Sequence, residues 1–94
     1  MPIKTVEQQD IQALHRVRER LIKNRTALVN QVRGLLLEYG IVIPQGIARF
    51  RKRLPRVIEE ADNGLSFVLR DLLQSLQSEL HALDTRVVEV TCQL

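Results

Sequence analysis

Leu69, Leu73, Leu76, Leu80, Leu83, Val87, Val90 and Leu94 follow one another at alternating spacings of four and three residues. That alternation is the 3.5-residue period of a coiled-coil seam, and no polar residue interrupts it. A lone helix carrying such a stripe would leave it in water. The pattern therefore demands a second helix, from the same chain or from another.

Residues 5–39 supply the candidate. Thr5-Val6-Glu7-Gln8 reads as a capping box that opens a helix. Gly40 can provide a left-handed C-cap and Pro44 forbids continuation. The span is roughly 34 residues, or about 50 Å at 1.5 Å per residue. Leu14, Leu21, Leu28 and Leu35 recur every seven residues, with Ile22, Val29 and Leu36 each following one of them. This double ridge makes a broad apolar stripe able to touch two neighbours. With the leucines at d positions, Arg18 and Arg25 fall at a positions, which disfavours a two-stranded dimer along this helix. The basic residues overlap the leucines instead of preceding them, which argues against a leucine-zipper DNA-binding factor. Gly34, inside the helix, either costs about 1 kcal/mol relative to Ala or marks the close approach of a neighbour.

All but one of the four Gly and three Pro lie between residues 34 and 64, so a single irregular region joins two long segments. Residues 40–46 read as an extended crossing, because Pro44 biases its predecessor away from helix. Two short helices are expected next, one over 47–54 and one over 55–61 with Pro55 in its first position. Ile47, Phe50, Leu54, Val57 and Ile58 would fold inward. Asp62-Asn63-Gly64 reads as a turn and the N-cap of a final helix over about 64–94. The expected fold is all-α: one domain over 1–94, a long antiparallel helical hairpin with one or two short helices at about 46–61. With only three aromatic residues and no Trp, the core is expected to be aliphatic. Val68 and Leu72, and the Ile22, Val29 and Leu36 ridge, would remain partly exposed on a lone hairpin. A homodimer or higher bundle is expected, its pairing direction left open: a parallel pair of last helices would set Glu79 against Asp84, whereas an antiparallel pair would let Arg70 meet Asp84.

The net charge of +3 conceals an asymmetry. Residues 15–56 hold eleven Lys or Arg against two acids, whereas residues 57–94 hold two Arg against seven acids. A basic half before an acidic half suits polyanion binding, internal charge pairing, or both. The densest run, Arg49-Phe50-Arg51-Lys52-Arg53-Leu54-Pro55-Arg56, places five cations in eight residues. Arg16, Arg20 and Lys23 form a second stripe opposite the leucines. Arg49, Arg51, Lys52, Arg53 and Arg56 are the expected phosphate contacts, and Arg16, Arg20 and Lys23 the secondary ones. Only Phe50 and Tyr39 could stack on bases nearby, so backbone contact is favoured over base reading. The competing reading is that these charges solubilise the surface or pair with the acidic final helix.

Nothing here has the makings of an active site. Ser66, Ser75 and Ser78 lack a His or Lys at triad-like positions. His15 and His81 are isolated, and no Cys/His spacing suits zinc. The pairs Glu59-Glu60 and Asp71 with Glu79 do not converge, and no Gly-rich phosphate loop occurs. No catalytic residue, metal, cofactor or small-molecule substrate is assigned. Cys92 lies off the seam and is expected to be an exposed thiol. No apolar run is long enough to cross a membrane, and residues 1–4 lack signal-peptide architecture, so a cytoplasmic location is expected.

Three strings carry a family likeness: residues 2–19 (PIKTVEQQDIQALHRVRE), residues 25–36 (RTALVNQVRGLL) and residues 38–44 (EYGIVIP). They resemble an internal segment of bacterial insertion-sequence transposases of the DEDD type, typified by insertion sequence 110. The resemblance continues less distinctively to the C-terminus. In that family the segment is a coiled-coil linker between a RuvC-like domain, which carries the metal-binding acidic residues, and a domain carrying a catalytic serine. The family cuts and rejoins DNA, and members are guided by a structured RNA. The resemblance implies a non-catalytic assembly segment whose parent's active site lies outside these residues. It further implies DNA or guide RNA as partner, and a bacterial, nucleoid-associated location. On that view Met1 heads an excised segment or a truncated gene product, and Leu94 cuts the seam mid-helix. A structural spacer or an adaptor without nucleic-acid contact is the alternative.

Overall fold

A computed structural model describes residues 6–60 and 64–94. Three helices follow in order: α1 (Val6–Leu37), α2 (Ile47–Glu59) and α3 (Phe67–Cys92). They form a rod of 63 × 21 × 19 Å. α1 and α3 are the antiparallel arms of the hairpin, and α2 lies against them beside the turn.

Two cross-arm hydrogen bonds define the register. Arg18 Nε donates to Thr91 Oγ1 at 2.9 Å, and Arg25 Nη1 to Asp84 Oδ1 at 3.2 Å. The partners lie one heptad apart along each helix, in opposite directions, as an antiparallel coiled coil requires. The two arginines at a positions thus meet polar partners on α3. Their presence in the stripe is compatible with the hairpin although it opposes a parallel dimer.

The α3 seam is spent inside the chain. Leu69, Leu73, Leu80, Val87 and Val90 are buried against α1 residues that include Leu21, Leu28, Val32 and Leu36. Leu76 and Leu83 are half-buried at the edge of the same contact. Leu94 is an exception to the expectation: it is 49% exposed, beyond the end of α3 at Cys92.

α1 closes in a Schellman motif. Ile41 N donates to Leu36 O at 3.0 Å and Gly40 N to Leu37 O at 2.9 Å, with Gly40 at φ 76°. Only a residue without Cβ takes that φ cheaply. The helix stops at Leu37, short of the expected Tyr39. The reversal sends residues 41–46 back along the rod, where Ile43 is buried and Ile41 half-buried over the core. This corrects the expectation for Leu36, which is fully buried instead of partly exposed. Ile22 and Val29 stay half-buried, as the ridge predicts.

The second correction concerns Pro55. Residues 47–59 form one helix with Pro55 inside it, and not two helices broken there. Proline deletes one backbone bond and crowds the preceding turn, costing about 3 kcal/mol. Burial on both sides of it outweighs that penalty. Phe50 and Leu54 precede it, Val57 and Ile58 follow, and all four are at most 7% exposed on one face. These four complete a core shared by all three helices.

α3 starts one turn later than the Asp62-Asn63-Gly64 turn suggests. Its N-cap is Ser66, whose Oγ accepts from Leu69 N at 3.1 Å. Asp62, Asn63 and the Thr5 capping position lie outside the described residues. The Cβ position of Gly34 has nothing within 4 Å, so no neighbour in this chain approaches it closely.

Candidate nucleic-acid interface

Continuity of α2 through Pro55 sorts its cations. Arg49, Lys52, Arg53 and Arg56 fall at i, i+3, i+4 and i+7, which is one face of a single helix. Phe50, Leu54, Val57 and Ile58 take the opposite face into the core. All four cations are exposed, and among the described residues none has an ion-pair or hydrogen-bond partner. With two separate short helices, as the sequence suggested, no single row would result.

Arg51 behaves differently. It lies on the flank of α2 that faces α3, where Nε donates to Asp84 Oδ2 at 2.9 Å and Nη2 to Asp84 Oδ1. The same carboxylate accepts from Arg25 of α1. One acid thus holds two guanidiniums, and all three helices meet at it. The Asp84 side chain is 23% exposed, beside 22% for Arg25 and 40% for Arg51. Such geometry supports a modest contribution to stability, on the order of 1 kcal/mol, since partly hydrated pairs are screened. Its main effect is positional. Arg51 is committed to a structural clamp, whereas its four neighbours remain available. As a phosphate contact Arg51 would compete with Asp84, thirty-three residues away in the sequence.

A second clamp fixes the other end of α2. Arg70 of α3 donates to the backbone oxygens of Ile58 and Glu60. A cation at the C-terminus of a helix also complements its dipole. With Arg51 on Asp84 at one end and Arg70 on Ile58 and Glu60 at the other, α2 runs antiparallel to α3 and parallel to α1. Arg70 and Asp84 are both engaged within the chain, which removes their contact as an argument for antiparallel over parallel pairing of subunits.

On α1, Arg16, Arg20 and Lys23 are exposed on the side away from the core, as their spacing predicts. Among the described residues they too lack ion-pair partners. The acids of α3 do not neutralise the basic half wholesale. Asp84 takes Arg25 and Arg51, and Glu89 pairs within its own helix with Arg86 at 3.4 Å. Phe50 is 1% exposed and is a core residue, not a stacking platform. Tyr39, 46% exposed, stands at the turn.

Among the described residues no group of three or more His, Cys, Asp or Glu is placed to hold a metal ion, and no helix is long and apolar enough to cross a membrane. Cys92 is an exposed free thiol. The surface cavities are shallow. One, of about 160 Å³, sits on the Asp84 clamp between Leu54, Leu80, Gln77 and His81.

No protein-family model and no solved structure matches the chain. Curated relatives do. The chain is 48% identical over 77 residues to the transposase for insertion sequence element IS1111A of Coxiella burnetii, covering 82% of this chain and 21% of that protein. Over its whole length it is 39% identical to a Pseudomonas aeruginosa protein named "Probable family 20 transposase", of which it spans 28%. It is 49% identical over 57 residues to the transposase for insertion sequence element IS1328 of Yersinia enterocolitica, covering 61% of this chain and 17% of that one. The chain thus spans 21% and 28% of the first two relatives. By sequence it is a homologue of insertion-sequence transposases, corresponding to one segment of them.

Proposed function

We propose that this chain is a non-catalytic helical module of a DNA transposase. It contacts nucleic acid through the basic face of α2 and pairs with a second copy through the side of the hairpin that α2 leaves bare. One observation carries the first part: Arg49, Lys52, Arg53 and Arg56 stand in a row, exposed and without partners, on a helix clamped at both ends. A fixed row of cations is suited to phosphates, and releasing their counterions drives binding regardless of sequence. The transposase homology supplies the context in which such a face has a ligand. The resemblance to the DEDD type supports placing the active site of the parent elsewhere, and DNA or guide RNA as the polyanion. A bacterial, nucleoid-associated location follows from the same reading.

The second part rests on an uncovered stripe. Val68 is 77% and Leu72 46% exposed, and half-buried Leu76 and Leu83 continue the same side of α3. α2 occupies the other side, where Arg70 and Asp84 reach it. Two hairpins joined by their bare sides would make a four-helix bundle with both basic faces outward. This assignment replaces the Leu69–Val90 seam, already filled by α1, as the pairing surface.

Binding of a duplex to the Arg49, Lys52, Arg53 and Arg56→Ala variant tests the first part. The quadruple change should flatten the log–log salt dependence by about 3.6, at roughly 0.9 per phosphate contact, and Arg51→Ala should change it by less than about 0.5. An unchanged slope in the quadruple variant would remove the α2 face from the interface. Light scattering tests the second: a dimer at tens of micromolar, converted to monomer by Val68→Glu with Leu72→Glu, is expected. A wild-type monomer at that concentration would leave a spacer as the better description.

A further inference from the structure

We infer that two copies of the chain pair antiparallel along the outer edge of α3, about a twofold axis beside Leu83. Glu79 of each copy then meets Arg86 of the other. The inference rests on the self-pairing reading above and adds the direction, the register and the contacts. α3 has two flanks. Gln77, His81 and Asp84 line a cavity with Arg51 and Leu54 of α2. On the other flank, Glu79 and Leu83 line a groove of about 290 Å³ with Asn24, Ala27 and Gln31 of α1. Further along, Arg86, Val90 and Gln93 line one of about 560 Å³ with Asp10, Ala13 and Val17. No residue of α2 lines either groove, so this edge is the bare one.

Along this edge Leu72, Leu76, Glu79, Leu83, Arg86 and Val90 follow at spacings of four and three, a second 3.5-residue stripe. It shares Leu76, Leu83 and Val90 with the seam that α1 fills and adds Leu72, Glu79 and Arg86 on the outer side. Its two charges are opposite and straddle Leu83. In an antiparallel pair, residues equally far on either side of the twofold face each other. Glu79 lies four residues before Leu83 and Arg86 three after, so Glu79 of each copy faces the partner's Arg86. Leu76, seven before, faces the groove floored by the partner's Val90, seven after. Leu72 reaches the partner's last residues. Ala27 lines the same groove as Leu83, and its small side chain leaves the two α1 helices room to approach there.

The charges are available for this contact. Among the described residues Glu79 has no ion-pair partner. Arg86 pairs with Glu89 of its own helix at 3.4 Å, both side chains more than half exposed. The other directions fit badly. With the two α3 helices parallel, each Glu79 meets its own copy, as does each Arg86. With α3 laid on the partner's α1 instead, the register fixed by Arg18 on Thr91 and Arg25 on Asp84 sets Arg86 within one turn of the partner's Arg20. Like charges brought together penalise both arrangements. Only the antiparallel twofold gives each charge an opposite.

Sedimentation equilibrium of the full chain tests the contacts. Glu79→Arg and Arg86→Glu should each raise the dimer dissociation constant about tenfold, and the two together should return it to within about threefold of wild type. Cross-linking tests the axis. In a Cys92→Ser background, Leu83→Cys should oxidise to a disulfide-linked dimer with copper phenanthroline in air. Leu72→Cys should not, because eleven residues from the axis its two copies stand about 33 Å apart. Unchanged helicity by circular dichroism certifies each variant as folded. A double variant no tighter than the single ones, or Leu72→Cys cross-linking as fast as Leu83→Cys, would overturn the antiparallel register and leave self-pairing standing. A wild-type monomer at tens of micromolar would overturn both the inference and the pairing reading beneath it.

Discussion

Substituting Leu73 by Ala removes the centre of the core. Leu73 is 0% exposed and belongs to the cluster that includes Leu36 of α1, Phe50 and Leu54 of α2, and Leu69 and Leu80 of α3. Because all three helices converge there, the site cannot collapse by moving one neighbour. The loss should lie in the upper part of the about 2–5 kcal/mol range for buried Leu→Ala changes. For a small domain with about 5–15 kcal/mol in total, a loss of about 3–4 kcal/mol is a large share. At about 4–8 °C per kcal/mol, the midpoint should fall by roughly 15–25 °C. Thermal unfolding followed by circular dichroism reads this directly, with Leu94→Ala as control. Leu94 is 49% exposed and its change should stay within about 0.5 kcal/mol. The shift between wild type and Leu73→Ala should also be independent of protein concentration, since the seam is filled from within the chain. A midpoint difference that shrinks on dilution would place Leu73 in a subunit interface and refute the hairpin assignment. Equal effects of Leu73→Ala and Leu94→Ala would refute the core assignment itself.

Three further substitutions test local features. Gly34→Ala should stabilise by about 0.5–1 kcal/mol, because the helix interior favours Ala and nothing lies within 4 Å of the added methyl. Ser66→Ala should cost about 1 kcal/mol through loss of the cap on Leu69 N, read as a lower denaturant midpoint at constant m-value. Asp84→Asn should cost about 1 kcal/mol and speed amide exchange in α2 ahead of the rest of the chain, since it breaks one of the two clamps on that helix.

The long-range periodicities were readable because they are redundant. Eight apolar positions in strict alternation specify a helix and a seam whatever any one residue does, and seven of them lie on the contact with α1. Gly40 was readable because few residues accept its φ, and the Schellman bonds form around it. Single local signals were less secure. Pro55 ordinarily ends a helix, but the burial of Phe50, Leu54, Val57 and Ile58 carries α2 past it. Ser66 caps α3 although a stronger turn signal, Asp62-Asn63-Gly64, stands just before it in the sequence. The candidate site was legible as composition and not as geometry. Counting Lys and Arg found the basic run, but only the register of α1 against α3 brings Asp84 to Arg25, and only packing of α2 brings it to Arg51. That register also explains the arginines at a positions, since Thr91 and Asp84 are polar on the facing helix.

The claim that the basic face of α2 is a nucleic-acid surface is tested most directly by titrating the isotope-labelled chain with a short duplex and following backbone amide chemical shifts. The account predicts saturable shifts at residues 49–56 that vanish above about 200 mM salt, with residues 69–90 of the seam unmoved. Shifts confined to other surfaces, or none at about 20 mM salt, would contradict it.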